Sequence, residues 1–337
     1  MKKLTINEIA EKAGVSKTTV SFYLNGKTNK MSEETMERIR KIIEETGYEP
    51  NAAARAIKTR PGASAGTIGV ILGDLSQPLA SRALKGIEEE ARESGYQVVV
   101  GSSGMLFSRE QEYIENMSRL GVSGFIIQAT YRFGVLGMEL EKKKKNLVYL
   151  DVSPYDSNGK CVKSGNYNSV YEAITQCAKK GYEQFIMISD GSQDDSGGVG
   201  NSQGFKDALR TADLPFKTYY MNQDATTEEI YDYLKRQIRP EMKTLIYVSD
   251  ASALANVYLA IKEFPDYQSL MPRTIGLIGF DVTGWTKTTT PAISSIVIPA
   301  YQEGRFAARK LLEMINGSGD SKEVILKNVI RWRESTM

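Results

Sequence analysis

Apolar residues recur at helical spacing in two short segments at the start of the chain. The first segment follows Thr5, which opens a Ser/Thr-x-x-Glu capping box, and it stops at Gly14. The second follows Ser16, a predicted N-cap, and stops at Asn25-Gly26. Two short helices joined by a turn that contains glycine are typical of a helix-turn-helix.

A third helical segment begins after Ser32, carries Met36, Ile39 and Ile43 on one face, and ends at Gly47. Three such helices can enclose a small core. The pattern alone leaves open whether this bundle binds DNA or is a generic protein-interaction module.

From residue 67 onward, apolar strands alternate with amphipathic helices. The strands are predicted at 68–72, 98–100, 124–129, 147–150, 185–188, 217–221, 245–248, 275–279, 293–298 and about 324–332. The helices are predicted near 80–93, 108–120, 135–143, 169–180, 202–212, 227–237, 251–263 and 300–316. This alternation predicts an α/β fold with doubly wound parallel sheets, arranged as two similar lobes with a cleft between them.

Composition narrows the possible functions. The chain of 337 residues has no histidine, which removes Ser-His-Asp nucleophiles, His-ligated metals and the commonest general base. Cys161 and Cys177 are too few for a disulfide framework or a four-thiolate zinc site. We therefore expect a protein that is not an enzyme and has no cofactor or metal. The chain shows no run of 18 apolar residues and no export signal, so we also expect a cytoplasmic location and no membrane partner.

Charge is unevenly distributed along the chain. Residues 1–60 carry 12 Lys and Arg against 8 Asp and Glu, whereas the remaining residues carry 31 against 33. On the second helix, Val20, Tyr23 and Leu24 form the predicted inward stripe, which places Lys17 and Phe22 on the opposite face. A basic head with an exposed polar helix face suggests contact with a polyanion such as DNA.

The string AGVSKTTVSFYLNG, followed by SEETMERIRKIIEETGYEPNAAARAIKTR, resembles the DNA-binding head of the lactose-repressor (LacI) family of bacterial transcription regulators. The resemblance implies that the second helix enters the major groove. It also implies that the stretch after Pro50 becomes a short hinge helix in a DNA-bound dimer, with Ile57 in place of the family's minor-groove leucine. A plain linker over residues 50–62 is the alternative. The predicted DNA-binding residues are Thr5, Ser16, Lys17, Thr18, Thr19, Ser21, Phe22, Asn25, Tyr48, Asn51, Ala54, Arg55 and Ile57.

Five predicted strands of the body end in an aspartate. These are Asp74, Asp151, Asp190, Asp250 and Asp281. Ligands of open parallel sheets bind outside the carboxyl ends of the strands, where carboxylates accept hydrogen bonds from hydroxyl groups. A polyhydroxylated or amine-bearing ligand therefore suits this edge. The alternative for each aspartate is an N-cap of the following helix.

The LacI resemblance continues through the body, in segments such as IGVILGDLSQP, GVSGFIIQA, TPAISSI and RWREST. It implies that Asp74, Asp151 and Asp281 line an effector cleft. The sequence departs from the family pattern at Asn201, where arginine is usual, at Ser249, where asparagine is usual, and at Leu79, where an aromatic residue often stands. The predicted effector-binding residues are Asp74, Gln77, Leu79, Asp151, Asn201, Ser249, Asp250, Asp281 and Trp285.

The resemblance also sets the expected domain boundaries. We expect the DNA-binding head at 1–49, the hinge helix and linker at 50–66, and a periplasmic-binding-protein-like effector and dimerisation domain at 67–337. Its N-lobe is expected to comprise about 67–160 and 293–318, and its C-lobe about 161–292 and 319–337.

The sequence therefore predicts a homodimeric repressor that binds a pseudo-palindromic operator in double-stranded DNA. A small polar ligand such as a sugar or sugar derivative is expected to control it. The alternative is the same DNA-binding regulator controlled by a protein corepressor, with a vestigial cleft. An enzyme or an exported binding protein is disfavoured, because no nucleophile–base pair and no export signal is visible.

Overall fold

The computed structural model describes residues 6–24, 31–46, 66–151, 160–189, 199–222, 224–319 and 322–337. The chain divides into two compact units, Met1–Gly66 and Thr67–Met337. This division coincides with the predicted start of the body at residue 67. None of the helices in the described ranges is long and apolar enough to cross a membrane.

The first unit contains three helices in the predicted order. They are α1 (Ile6–Lys12), α2 (Lys17–Leu24) and α3 (Glu33–Thr46). Ile9, Val20 and Ile39 contribute one fully buried side chain from each helix to a small core. Gly14 lies in the turn between α1 and α2 with φ of +63°, a conformation that glycine adopts without steric cost. The apolar stripes of the sequence thus meet as the pattern predicts.

The second unit alternates strands and helices, and its first strand begins one residue earlier, at the last residue of the first unit. Its strands are β1 (Gly66–Leu72), β2 (Tyr96–Ser102), β3 (Gly124–Ile127), β4 (Asn146–Leu150), β5 (Cys161–Ser164), β6 (Gln184–Ser189), β7 (Phe216–Tyr220), β8 (Thr244–Val248), β9 (Ile275–Asp281), β10 (Ser294–Val297), β11 (Val324–Leu326) and β12 (Val329–Arg331). Its helices are α4 (Pro78–Glu93), α5 (Phe107–Leu120), α6 (Gly134–Lys142), α7 (Asn166–Lys179), α8 (Val199–Thr211), α9 (Thr227–Gln237), α10 (Leu254–Lys262), α11 (Tyr267–Leu270) and α12 (Ala300–Ile315). Short 3-10 turns occur at Tyr131–Phe133, Trp285–Thr288 and Glu334–Thr336.

These strands form two six-stranded sheets, one in each lobe. The N-lobe sheet has the order β11-β5-β4-β3-β1-β2, and the C-lobe sheet has the order β12-β10-β9-β8-β6-β7. In the N-lobe, the strands from β11 through β1 in this order pair in parallel, as do those from β10 through β7 in the C-lobe. The pair β10–β12 is antiparallel. The predicted doubly wound α/β fold is confirmed.

The predicted lobe boundaries are wrong at three places. Cys161–Ser164 and Val324–Leu326 belong to the N-lobe sheet, where they pair with each other. Ser294–Val297 belongs to the C-lobe sheet. The strand predicted over 324–332 is two strands in different sheets, because the chain crosses between the lobes at about residue 327. Strands of three or four residues are too short to show which sheet they join.

Helices α4 and α12 pack closely on the N-lobe. A Cβ atom at Gly304 would lie 1.9 Å from the carbonyl oxygen of Ala83, so only glycine permits this approach. Beside this contact, Glu90 accepts hydrogen bonds from Arg305 and Arg309, with Nε to carboxylate distances of 2.7 and 2.9 Å. The two guanidinium groups lower the pKa of Glu90. The contact fixes α12 on the N-lobe.

Candidate functional site

Helix α2 presents the predicted face to solvent. Lys17 and Thr18 are exposed, and the Phe22 side chain is 47% exposed, whereas Val20 on the opposite face is fully buried. Tyr23 packs partly against the same core. The exposed face of α2 therefore carries one apolar side chain, a phenyl ring, and two polar side chains, a lysine and a threonine.

Ser16 caps α2 as predicted. Its hydroxyl oxygen accepts a hydrogen bond from the Thr19 backbone N–H at 3.1 Å and lies 2.9 Å from the Thr19 hydroxyl. Thr19 is half-buried and takes part in this cap. The remaining predicted DNA-binding positions lie outside the described residues or side chains: Thr5, Ser21, Asn25, Tyr48, Asn51, Ala54, Arg55 and Ile57.

The predicted effector residues lie at the carboxyl ends of neighbouring strands. In the N-lobe, Asp74 follows β1 and Asp151 follows β4, with β3 between them. In the C-lobe, Asp250 follows β8 and Asp281 ends the adjacent β9. Asp190 lies outside the described residues. Each lobe therefore gathers its strand-end carboxylates along one edge of its sheet.

The two edges face each other where α4 meets the loop after β9. Arg82, near the start of α4, directs its Nη2 toward the carbonyl oxygen of Thr283 at 3.5 Å. Thr283 lies just beyond the carboxyl end of β9. This contact brings the start of α4 in the N-lobe close to the loop that follows the carboxyl end of β9 in the C-lobe.

Gln128 is a cleft residue that the sequence reasoning missed. It follows β3, its Oε1 accepts a hydrogen bond from the Gly73 backbone N–H at 3.0 Å, and its Nε2 lies 3.4 Å from Oδ2 of Asp151. The side-chain amide thereby connects the ends of three adjacent strands. The rule that singled out strand-end aspartates would have found Gln128 had it included amides.

Asp151 adopts a left-handed backbone with φ of +65°, which is uncommon for a residue other than glycine. Removal from solvent raises the pKa of its carboxyl, and the Gln128 contact opposes this rise. Backbone strain of this kind occurs at functional sites when the surroundings hold it in place.

Glu303, in the first turn of α12, is a buried carboxyl close to Asp151 that the sequence reasoning missed. It is 1% exposed and accepts a hydrogen bond from the Ser164 hydroxyl at the end of β5. Burial, together with the charge of Asp151, raises the pKa of Glu303 to about 8. Its sequence signal is a lone acid on the inward face of an amphipathic helix.

Two of the strand-end aspartates form the same local turn. Asp74 accepts hydrogen bonds from the backbone N–H and the hydroxyl of Ser76, at 2.9 and 2.8 Å. Asp250 accepts from the corresponding groups of Ser252, both at 2.6 Å. The bonds from Ser76 lower the pKa of Asp74. Neither aspartate caps its following helix, since α4 begins at Pro78 and α10 at Leu254.

Asp281 has a different environment from the one predicted. It is 2% exposed; its Oδ1 accepts from the backbone N–H groups of Thr283 and Gly284, and its Oδ2 from the N–H and hydroxyl of Thr286. Both carboxylate oxygens are therefore used to hold the loop that follows β9. The prediction of an open acceptor for a ligand hydroxyl does not match this geometry.

The other C-lobe residues also make specific contacts. Asn201 is buried, and its Nδ2 donates to the Ser249 carbonyl at 3.0 Å; within the described ranges its Oδ1 has no partner. The Ser249 hydroxyl is directed at the Ile188 carbonyl, 3.3 Å away. Trp285 is half-buried and packs on the C-lobe core beside Tyr258. In the N-lobe, Gln77 is exposed and Leu79 half-buried at the start of α4.

The described residues contain no group of three or more Cys, Asp or Glu side chains placed to hold a metal ion. What the cleft offers instead is a set of carboxylates, amides and one indole ring. Such groups exchange hydrogen bonds with hydroxyl and amine groups and can stack on a ring.

Two family models match the chain. Residues 5–51 match the model of bacterial regulatory proteins of the lacI family, and residues 174–336 match a periplasmic binding protein-like domain. The head of the chain is a LacI-family DNA-binding domain, and the body carries a periplasmic binding protein-like domain.

The chain is similar over nearly its whole length to known regulators. It is 26% identical over 324 residues to the HTH-type transcriptional regulator KdgR of Bacillus subtilis, covering 95% of this chain and 94% of the relative. It is 27% identical over 340 residues to Catabolite control protein A of Priestia megaterium, covering 99% of each chain. By their names, the first relative is a helix-turn-helix-type transcriptional regulator and the second is a control protein.

A solved structure shares the fold of this chain. The lac repressor dimer bound to operator and the anti-inducer ONPF has a TM-score of 0.71 at 20% identity, covering 100% of both chains. The matches give no support to the alternative of a protein corepressor acting on a vestigial cleft.

Proposed function

We propose that this LacI-family regulator is a repressor that binds a pseudo-palindromic operator as a homodimer. A small polar ligand, such as a sugar or sugar derivative, binds between the lobes and controls operator binding. The observation that carries the DNA-binding part is the outward face of α2, where Lys17, Thr18 and Phe22 are exposed over a buried Val20. Side chains on such a face can reach base edges in the major groove.

The homodimer follows from the size of the head. One α2 face offers few base and phosphate contacts, and two heads bound to related half-sites supply the affinity that a single head lacks. The similar lac repressor structure is a dimer bound to operator. That dimer supports the same arrangement for this protein.

The ligand class follows from the polar groups at the two strand edges. Asp74 and Asp250 accept hydrogen bonds, Gln128 and Asn201 carry amides, and Trp285 offers an aromatic ring. Alternating acceptors and donors fit a ligand with several hydroxyl groups. The chain departs from the family pattern at Asn201, Ser249 and Leu79. The particular ligand must therefore be identified by screening.

DNA binding is tested by selecting sequences from a random duplex pool with the full-length protein. We expect an enriched site with two inverted half-sites, bound by two chains, with an affinity that falls steeply as salt rises. The control is a chain that lacks residues 1–60. Operator binding by that truncated chain at physiological salt would contradict the assignment of the head.

The ligand is tested by measuring the melting temperature against a panel of mono- and disaccharides and their phosphates. A sugar that binds the native state raises the melting temperature as its concentration increases. The same sugar should change operator affinity about 5–150-fold, the range of a coupling of ~1–3 kcal/mol. Stabilisation by a sugar with no change in operator affinity would exclude it as the effector.

A further inference from the structure

The last residues of the chain are packed against the end of the C-lobe sheet. The Ser335 hydroxyl donates to the Leu277 carbonyl at 2.6 Å and accepts from the Ser294 backbone N–H at 2.8 Å. Lys180 contributes its Nζ to the carbonyl oxygen of Thr336 at 3.1 Å and lies over the ring of Trp332. These contacts hold the segment without using the side chain of Arg333.

The Arg333 guanidinium instead reaches toward the loop after β9. Its Nη1 lies 2.6 Å from the Ile293 carbonyl, 2.9 Å from the Ser295 hydroxyl and 3.0 Å from the Thr286 hydroxyl. All three atoms are acceptors for this cation. They surround one nitrogen, whose two N–H bonds are shared among the three acceptors.

Thr286 connects Arg333 to Asp281. The buried Thr286 hydroxyl donates its hydrogen to Oδ2 of Asp281, so it meets Arg333 as an acceptor. A cation and a carboxylate are thus bridged by one hydroxyl. The Ile293 backbone N–H, beside one of the Arg333 acceptors, also donates to the Thr286 carbonyl at 2.9 Å.

The loop fixed in this way carries the aromatic ring of the proposed effector site. Trp285 immediately precedes Thr286, and the backbone N–H groups of Thr283 and Gly284 converge on Asp281. Residues 282–289 lie outside any strand, so side-chain contacts must supply the order that a sheet would give.

We infer that Arg333 is a positioning residue for effector recognition. It acts through Thr286 and Asp281 to hold the loop 281–289, and Trp285 within it, at the carboxyl edge of the C-lobe sheet. That this loop binds the effector rests on the proposed function. That Arg333 orders the loop rests only on the contacts described above. A binding site needs its contact residues locked by a supporting layer of hydrogen bonds.

The test is amide hydrogen exchange of the full-length protein, read on peptides that cover residues 281–289. Arg333→Met removes hydrogen bonds from a charged donor, which are worth enough that exchange in this peptide should accelerate about tenfold. Arg333→Lys keeps a charged donor on a side chain one atom shorter, so it should restore protection only in part. Arg331→Met is the matched control, because Arg331 is exposed and lies two residues away.

Thr286→Val provides a second route to the same result. Thr286→Val alone should accelerate exchange of the loop. The double variant with Arg333→Met should exchange no faster than the faster single variant, because both changes break the same chain of hydrogen bonds from Arg333 through Thr286 to Asp281. Additive effects would mean that Arg333 does not act through Thr286.

Two results would overturn the inference: unchanged exchange of 281–289 in Arg333→Met, or an equal acceleration in the α4 peptide of the N-lobe, which would show a loss of global stability. Either result leaves the sugar screen unaffected. Conversely, a screen without any hit would weaken the proposed ligand but not the exchange result.

Discussion

Glu303 accepts a hydrogen bond from the Ser164 hydroxyl and joins two of the three chain segments that pass between the lobes. Ser164 ends β5, just before the first crossing, and Glu303 lies in the first turn of α12, just after the second. At the third crossing, Asn328 donates its Nδ2 to Oδ1 of Asn166 at 2.8 Å. Polar contacts thus link all three connections between the lobes.

The Glu303 carboxyl predicts a pH dependence of stability. Its pKa is raised from 4.5 to about 8 in the folded protein, so the unfolded chain ionises first as pH rises. The stabilising contribution is complete below about 4.5 and is lost as pH rises through about 8. The raised pKa of Asp151 acts in the same direction.

Comparing urea unfolding of the wild type and Glu303→Gln at pH values of about 5.5 and about 8.5 measures this effect. A glutamine side chain at this position cannot ionise, so the free energy of unfolding of the variant relative to the wild type should increase with pH. A difference that is the same at both pH values would show that Glu303 titrates normally.

The sequence pattern predicted nearly every long element, because α/β lobes bury continuous apolar strands between amphipathic helices. It missed β5 and misassigned β10 and β11 to lobes, since short strands pair through contacts distant in sequence. The outward face of α2 was predictable because Val20 and Phe22 lie on opposite sides of this helix. Pairings across the fold, such as Arg333 with Thr286, have no local signal.

The described strand-end aspartates lie where the sequence predicted, but it was not foreseen from the sequence that three of them close a local turn. Each of the five predicted aspartates is followed two residues later by Ser or Thr: DLS, DVS, DGS, DAS and DVT at 74, 151, 190, 250 and 281. At 74, 250 and 281, the described structure shows that side chain and its backbone N–H bound to the aspartate. Aspartate and serine side chains commonly close such turns. The Asp-x-Ser/Thr motif therefore forms the turns at the carboxyl edge of each sheet. Only those aspartates whose carboxylates remain exposed can also bind a ligand.

This distinction predicts different effects at Asp281 and Asp74. Asp281→Asn replaces an acceptor facing the Thr286 N–H and hydroxyl by a donor, and should lower the free energy of unfolding by about 1–3 kcal/mol. Asp74→Asn, at an exposed position, should leave it within experimental error of the wild type. Urea unfolding of both variants measures the contrast, and equal stability for the two would mean that the Asp281 carboxylate does not hold its loop.

The Ser16 cap predicts a local effect in the head. Ser16→Ala leaves the Thr19 N–H without its acceptor and should cost α2 about 1 kcal/mol. Hydrogen exchange of peptides that cover residues 17–24 should therefore accelerate, with weaker operator binding. Ser16→Asp keeps an acceptor at the N-cap and serves as the control; equal protection in the Ala and Asp variants would argue against the cap.

Phe22 predicts how the operator sequence depends on α2. A phenyl ring can contact a thymine methyl group but cannot make the two hydrogen bonds that arginine makes with guanine O6 and N7. Phe22→Arg should therefore shift the selected sequence toward G·C at one base pair in each half-site, by about 1–3 kcal/mol of discrimination. Phe22→Leu keeps an apolar contact and should retain the wild-type preference at reduced affinity. Selection from a random duplex pool compares the three proteins directly. Identical sequence profiles for the wild type and the Phe22→Arg variant would show that this side chain, although exposed, does not contact base edges.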